Sequence, residues 1–144
     1  MSNTLDNGKY KCLISAALEA REKAYAPYSK FKVGAALLTS DENVITGCNV
    51  ENASYPACNC AERTAVFKAI SMDKKSFEAI AIIAGKENDG IKDYTSPCGV
   101  CRQVLREFVD PCRFKVIMAK SMDDYKIATL EELLPLSFGP ENLE

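Results

Sequence analysis

The chain has 144 residues, nearly half of them apolar and about a quarter charged, with a formal net charge of −2. Such a length suits one compact domain spanning residues 1–144 with a core of its own. No basic run marks a polyanionic partner, which argues against nucleic acid, and no apolar run approaches the ~20 residues of a membrane span.

In chain order, Leu5 to Tyr25 reads as a helix with Leu13, Ala17, Ala20 and Ala24 on one stripe, broken by Ala26-Pro27-Tyr28-Ser29. Phe31 to Thr39 reads as a strand whose Gly34 signals a close backbone approach. A turn over Ser40 to Asn43 joins it to a second strand, Val44 to Val50, as a hairpin. A polar loop, Glu51 to Asn59, leads to a helix from Cys60 to Ser71, then a buried strand from Phe77 to Ala84. After a polar connection, Lys86 to Thr95, a helix runs from Pro97 to Phe108, with proline in its favoured place at or just before the first turn. Strands follow at Arg113 to Ala119 and Tyr125 to Ala128. Thr129 and Glu132 form a capping box for a short helix, Leu130 to Leu134, ended by Pro135. Helices between strands imply parallel neighbours, so the order predicts an α/β protein with a mixed five-stranded sheet covered by helices.

The composition holds seven cysteines and no histidine. A metal must then be held by thiolates, carboxylates or water, and a general acid or base near neutral pH must be a tuned carboxylate, Lys, Cys or Tyr. The polar leading segment, Met1 to Lys11, carries no signal-peptide core, so the expected compartment is the cytoplasm. There, clustered cysteines point to metal or chemistry before disulfides.

The chemistry gathers at two predicted helix starts, Cys60-Ala61-Glu62 and Pro97-Cys98-Gly99-Val100-Cys101. First-turn side chains tilt toward the N-terminus, so two facing helix starts can bring three thiolates to one ion. Helix dipoles and unpaired N–H groups favour the thiolate form. Three protein ligands leave a tetrahedral zinc one position for water, the pattern of a catalytic site. Three thiolates also over-neutralise the ion, and Arg63, next to Glu62, is placed to offset that charge through a hydrogen bond to sulfur. A closed site of Cys58, Cys60, Cys98 and Cys101 competes with this reading, but gives Glu62 no work. A redox pair of Cys98 and Cys101 leaves Cys60 unexplained. Cys12, Cys48 and Cys112 read as ordinary buried or surface residues, and Arg102 and Gln103 as facing solvent or a subunit contact.

Six stretches carry a resemblance. They are Ala26 to Phe31, Val33 to Ala36, Gly47 to Ala53, Cys58 to Thr64, Ser96 to Gly99 with Cys101-Arg102-Gln103, and Glu131 to Pro135. In this order they resemble the small homotetrameric zinc-dependent cytidine deaminases over nearly the whole chain. The ligand, glutamate and Pro-Cys-x-x-Cys spacing is also the general signature of zinc nucleobase deaminases.

The resemblance implies a cytidine-deaminase-like three-layer fold with helices on both faces of the sheet. It implies hydrolysis of cytidine and deoxycytidine to uridine and deoxyuridine in pyrimidine salvage, by zinc-bound hydroxide with Glu62 as proton shuttle. One Zn2+ per chain is implied, held by Cys60, Cys98 and Cys101. Asn49 and Glu51 look like the pair for the ribose 3′-hydroxyl, Phe31 like the ring packed on the base, and Ala61 like a main-chain contact to it. Ala53, Tyr55 and Phe138 look like residues reaching a neighbouring subunit's site in a homotetramer. Read without the family, Asn49 and Glu51 are an ordinary polar turn and Phe31 a core residue. Pro56 and Val100 depart from the commonest family pattern, with expected effects on packing near the base pocket. A deaminase of a related heterocycle such as blasticidin S, and a non-catalytic zinc or RNA-editing module, are the alternatives.

Overall fold

The computed structural model describes residues 3–144, with side chains from residue 7 onward; Met1 and Ser2 of the polar leading segment lie outside it. Its elements are α1 (Asn3–Arg21), β1 (Phe31–Thr39), β2 (Val44–Cys48), α2 (Ala61–Ser71), β3 (Phe77–Lys86), α3 (Gly99–Phe108), β4 (Lys115–Ser121), β5 (Asp124–Thr129) and α4 (Leu130–Leu133). Two 3-10 turns, Tyr55–Ala57 and Pro140–Leu143, complete them.

The five strands form one mixed sheet in the order β2-β1-β3-β4-β5. The β1–β2 hairpin is antiparallel, as its turn required. Strands β3 and β4, joined through α3, are parallel neighbours. Strands β2 and β3, joined through α2, are not neighbours: β1 lies between them and pairs antiparallel with β3. The helix between two strands therefore set their relative direction but not their adjacency.

Because strand side chains alternate faces, β1 sends Ala35 and Leu37 to one side and Ala36 and Leu38 to the other. The first side meets Ala61, Ala65, Val66 and Ala69 of α2, Leu105 of α3 and Leu130 of α4. The second meets Leu13, Ile14 and Ala17 of α1. Two apolar faces covered by separate helices make three layers. The fully buried Ile80, Ile82, Val116 and Ile117 of the central strands supply much of the core.

Two glycines set how closely helices approach the sheet. A Cβ on Gly34 would stand 1.9 Å from the Ala17 carbonyl oxygen, so α1 lies backbone against backbone on β1. A Cβ on Gly47 would stand 2.5 Å from both the Ala61 oxygen and the Ala65 nitrogen, so β2 seats the first turn of α2.

Helix α1 ends at Arg21, four residues before the expected Tyr25, because tertiary bonds take over. The Tyr25 N–H donates to the Asn49 carbonyl at 3.0 Å, and the Glu51 N–H donates to the Tyr25 carbonyl at 2.8 Å. Arg21 closes the helix against the sheet, donating to the Lys32 and Gly85 carbonyls. For the same reason β2 stops at Cys48: Val50 leaves the sheet and exchanges backbone bonds with Asn59. The capping box of α4 is formed as the sequence indicated, with the Thr129 hydroxyl accepting from the Glu132 N–H.

Candidate active site

Helices α2 and α3 start beside each other, and each opens on a cysteine. Cys60 is the N-cap of α2 and Cys98 the N-cap of α3; both have extended backbones, and neither side chain is spent on capping. Cys101 stands one turn into α3, on the same face as Cys98. The three sulfurs lie within 4.8 Å of one another. Cys60 Sγ and Cys98 Sγ are 3.7 Å apart. Four sulfurs at ~2.3 Å around a tetrahedral zinc stand about 3.8 Å from each other, so this spacing and donor set fit the ion.

Cys58 stands outside the group. Its Sγ accepts from the Asn52 N–H at 3.2 Å and points its own hydrogen toward the Asn52 carbonyl, making it part of the loop. Among the described residues the metal-competent group is Cys60, Cys98 and Cys101 alone. Cys98 and Cys101 are both free thiols.

Charge is distributed unevenly over the cluster. The Cys60 thiol is drawn down to about 5, first by the neighbouring Cys101 thiol and then by Arg63 and Cys98, against the opposing effect of burial. Cys101 is pushed up, because it shares its proton with the Cys60 thiolate and is itself buried. Arg63 Nη2 donates to Cys60 Sγ at 3.4 Å, the contact its adjacency suggested. The Cys60 thiolate holds the Arg63 guanidinium above its ordinary range, and Arg63 Nε is buried with no hydrogen-bond partner among the described residues.

Glu62 follows in the first turn of α2 and is 4 % exposed. Burial lifts its carboxyl from 4.5 to about 7, with the Cys60 charge adding to the rise and its own backbone N–H and Arg63 opposing it. A carboxyl balanced near neutrality can both accept and release a proton at working pH. Ala61, between Cys60 and Glu62, is fully buried. It is the first residue of α2, so its N–H has no partner within the helix.

The remaining residues form a neighbouring loop cluster. Asn49 Oδ1 accepts from the Val33 N–H at 2.8 Å and its Nδ2 donates to the Phe31 carbonyl at 2.8 Å, so this side chain pins the start of β1. Glu51 accepts from the N–H groups of Tyr28 and Ser29 at 3.0 and 3.1 Å, and from the Ser29 hydroxyl. The Ser29 hydroxyl, ahead of the backbone donors, holds the Glu51 carboxyl below its ordinary range. Phe31 is 36 % exposed at the head of β1, which corrects the core reading drawn from residue type alone. Ala53, Tyr55 and Phe138 are all exposed, and Tyr55 meets Tyr28 edge to face. Pro56 sits in the 3-10 turn before Cys58, and Val100 lines a surface groove with Phe67 and Gln103.

Gln103 is exposed and Arg102 half-buried, in keeping with their sequence position, and both also bond to other parts of the chain. Arg102 donates to the Pro97 and Leu133 carbonyls and to the Ser96 hydroxyl. Gln103 Nε2 donates to the Phe138 carbonyl at 3.0 Å. No local spacing signals these bonds, because two of the acceptors lie more than thirty residues away.

Residues 8–118 match the family model described as the cytidine and deoxycytidylate deaminase zinc-binding region. A cytidine deaminase of Sporosarcina psychrophila is 47% identical over 131 residues, covering 91% of this chain and 92% of that one. One from Halalkalibacterium halodurans is 47% identical over 131 residues, covering 91% of this chain and 95% of the relative. Among solved structures, the cytidine deaminase from Burkholderia pseudomallei superposes with a TM-score of 0.77 at 50% identity, covering 88% of this chain and 97% of that one.

Proposed function

The chain belongs to the cytidine and deoxycytidylate deaminase family, and from that premise we propose how its residues divide the work of deaminating cytidine and deoxycytidine. It is a zinc-dependent cytidine deaminase, and its products are uridine or deoxyuridine and ammonia. The observation that carries the reading is the convergence of three thiols and a buried glutamate at two facing helix starts.

Cys60, Cys98 and Cys101 hold the zinc. Bound there, zinc supplies the Lewis acidity that makes water a usable nucleophile near neutral pH. Glu62 takes one proton from the attacking water and hands it to N3 of the cytosine; it then carries the second proton, from the hydroxyl now on C4, to the departing amine, which leaves as ammonia. Its carboxyl, lifted to about 7, suits both directions of transfer. Arg63 offsets the excess charge of the thiolates through its bond to Cys60.

Asn49 and Glu51 receive the sugar 3′-hydroxyl. Both are already fixed by bonds to the loop and to β1, and each keeps unused capacity: an amide carries two N–H groups and two lone pairs, a carboxylate about four lone-pair sites. A carboxylate there also repels a 5′-phosphate, which favours nucleosides over nucleotides. The Phe31 ring packs on the base, and the Ala61 main chain contacts it. Ala53, Tyr55 and Phe138, exposed on this chain, complete the site of a neighbouring subunit in a homotetramer acting in the cytoplasm. No described helix is long and apolar enough to cross a membrane.

The test is ammonia release from cytidine, deoxycytidine, CMP and blasticidin S by purified, zinc-loaded protein. Release from the two nucleosides, with CMP and blasticidin S far slower, is expected. A preference for blasticidin S, or no release from cytidine, overturns the substrate reading.

A further inference from the structure

Cys98 and Cys101 reach the thiol cluster by different means. Cys101 is fully buried inside α3, and core packing fixes it. Cys98 is an exposed N-cap, so its place depends on the strap of residues 90–97 that leads into it. That strap has no ladder of its own: none of the loop and cap backbone hydrogen bonds among the described residues involves residues 90–97. Pro97 has no N–H to offer.

Side chains hold the strap instead: Ile91 packs against the core on the α1 side, and polar anchors follow at the middle and the end. At its middle, Tyr94 lies between Lys120 and Lys126, whose Nζ atoms stand 4.6 and 4.7 Å from the ring centre, and its hydroxyl donates to Asp124. At its end stands Arg102. Its Nε donates to the Pro97 carbonyl at 2.7 Å, its Nη2 to the Ser96 hydroxyl at 3.0 Å, and its Nη1 to the Leu133 carbonyl at 2.5 Å. One planar fork thus joins the turn before Cys98 to the end of α4, where helix carbonyls otherwise lack partners.

We infer that Arg102 is a positioning residue of the metal site, setting the Ser96–Pro97 turn and thereby where Cys98 Sγ stands relative to Cys60 and Cys101. It touches no sulfur and acts through the backbone, unlike Arg63. The inference rests on the reading of the three thiols as zinc ligands. Groups that orient metal ligands typically change metal affinity by 10–100-fold when removed. The rigid fork matters more than the charge: a lysine offers a single ammonium, which cannot span three acceptors on two elements.

The experiment uses full-length wild type, Arg102→Met, Arg102→Lys and Ser96→Ala, each stripped of metal and titrated with zinc against a chromophoric chelator. Each is then loaded with Co(II), and its thiolate-to-cobalt absorption is recorded. Wild type that binds no zinc would overturn the thiol reading itself, independently of Arg102. With wild type binding, Arg102→Met should lose roughly 10–100-fold in zinc affinity and show an altered cobalt spectrum, with Arg102→Lys close behind it. Ser96→Ala, missing one bond of three, should lose roughly 3-fold. Arg102→Met with wild-type affinity and spectrum, reduced only in thermal midpoint, makes Arg102 a plain structural brace and overturns the inference. Full rescue by lysine does the same. If Arg102→Met does not fold, Ser96→Ala decides, and wild-type affinity there overturns the inference.

Discussion

Glu62→Gln should make the metal-free protein more stable at alkaline pH while disabling it as a catalyst. The side chain is 4 % exposed, and burial raises its carboxyl from 4.5 to about 7. Below pH 4.5 the folded and unfolded chains both hold this proton, and the group favours neither. Between 4.5 and about 7 the unfolded chain has released the proton while the folded chain retains it, so stability falls as pH rises. At ~1.4 kcal/mol per pH unit, the loss totals about 3 kcal/mol by pH 8. Glutamine has nearly the same shape and no charge to bury, so it avoids that loss. For a chain of this size the gain corresponds to a thermal midpoint roughly 10 °C higher. The variant cannot carry a proton between water, base and amine, and kcat for cytidine should fall ~10²–10⁴-fold. Thermal unfolding of chelator-treated protein at pH 4 and pH 8, with cytidine turnover of the zinc-loaded forms, measures both effects. A variant no more stable than wild type at pH 8, or equally more stable at pH 4, refutes the buried-carboxyl reasoning.

Cys58→Ala should keep zinc and much of its activity, whereas Cys60→Ala should lose both; equal zinc loss in elemental analysis of the two would restore the closed four-thiolate site. Glu51→Ala should reduce kcat/KM for cytidine at least ~10-fold, leave zinc content unchanged and narrow the preference over CMP. Steady-state kinetics indistinguishable from wild type would make Glu51 a loop residue only. Gly47→Ala places a Cβ 2.5 Å from backbone atoms of α2, so α2 must shift. A stability loss of ~1–3 kcal/mol with lower kcat is expected, and unchanged denaturant midpoint and kcat would show that the seat of α2 is not critical.

Much was legible because it is encoded locally. Hydrophobic periodicity, turn residues and the Thr129–Glu132 capping box mark the helices and strands. The Cys60-x-Glu62 and Cys98-x-x-Cys101 spacings place ligating groups on first turns, where helix geometry alone aims them. The absence of histidine narrowed the donors to sulfur and oxygen before any fold was considered. Gly34 in β1 announced the close approach that α1 makes.

Contacts between distant segments decided the rest. Cys58 and Cys60 are equivalent by composition and nearly so by position, yet Cys60 caps a helix that faces α3 while Cys58 is bonded into its own loop. Periodicity extended α1 to Tyr25, but backbone bonds from Asn49 and Glu51 capture that segment. Alternation of helices and strands could not tell that β1 inserts between β2 and β3. The bonds of Arg102 and Gln103 had no local signal because their partners, Leu133 and Phe138, lie in the C-terminal segment. The physical reason is common to all four: side-chain pattern sets what a segment can form by itself, whereas the partner of a hydrogen bond or thiol is chosen only when packing brings remote chain together.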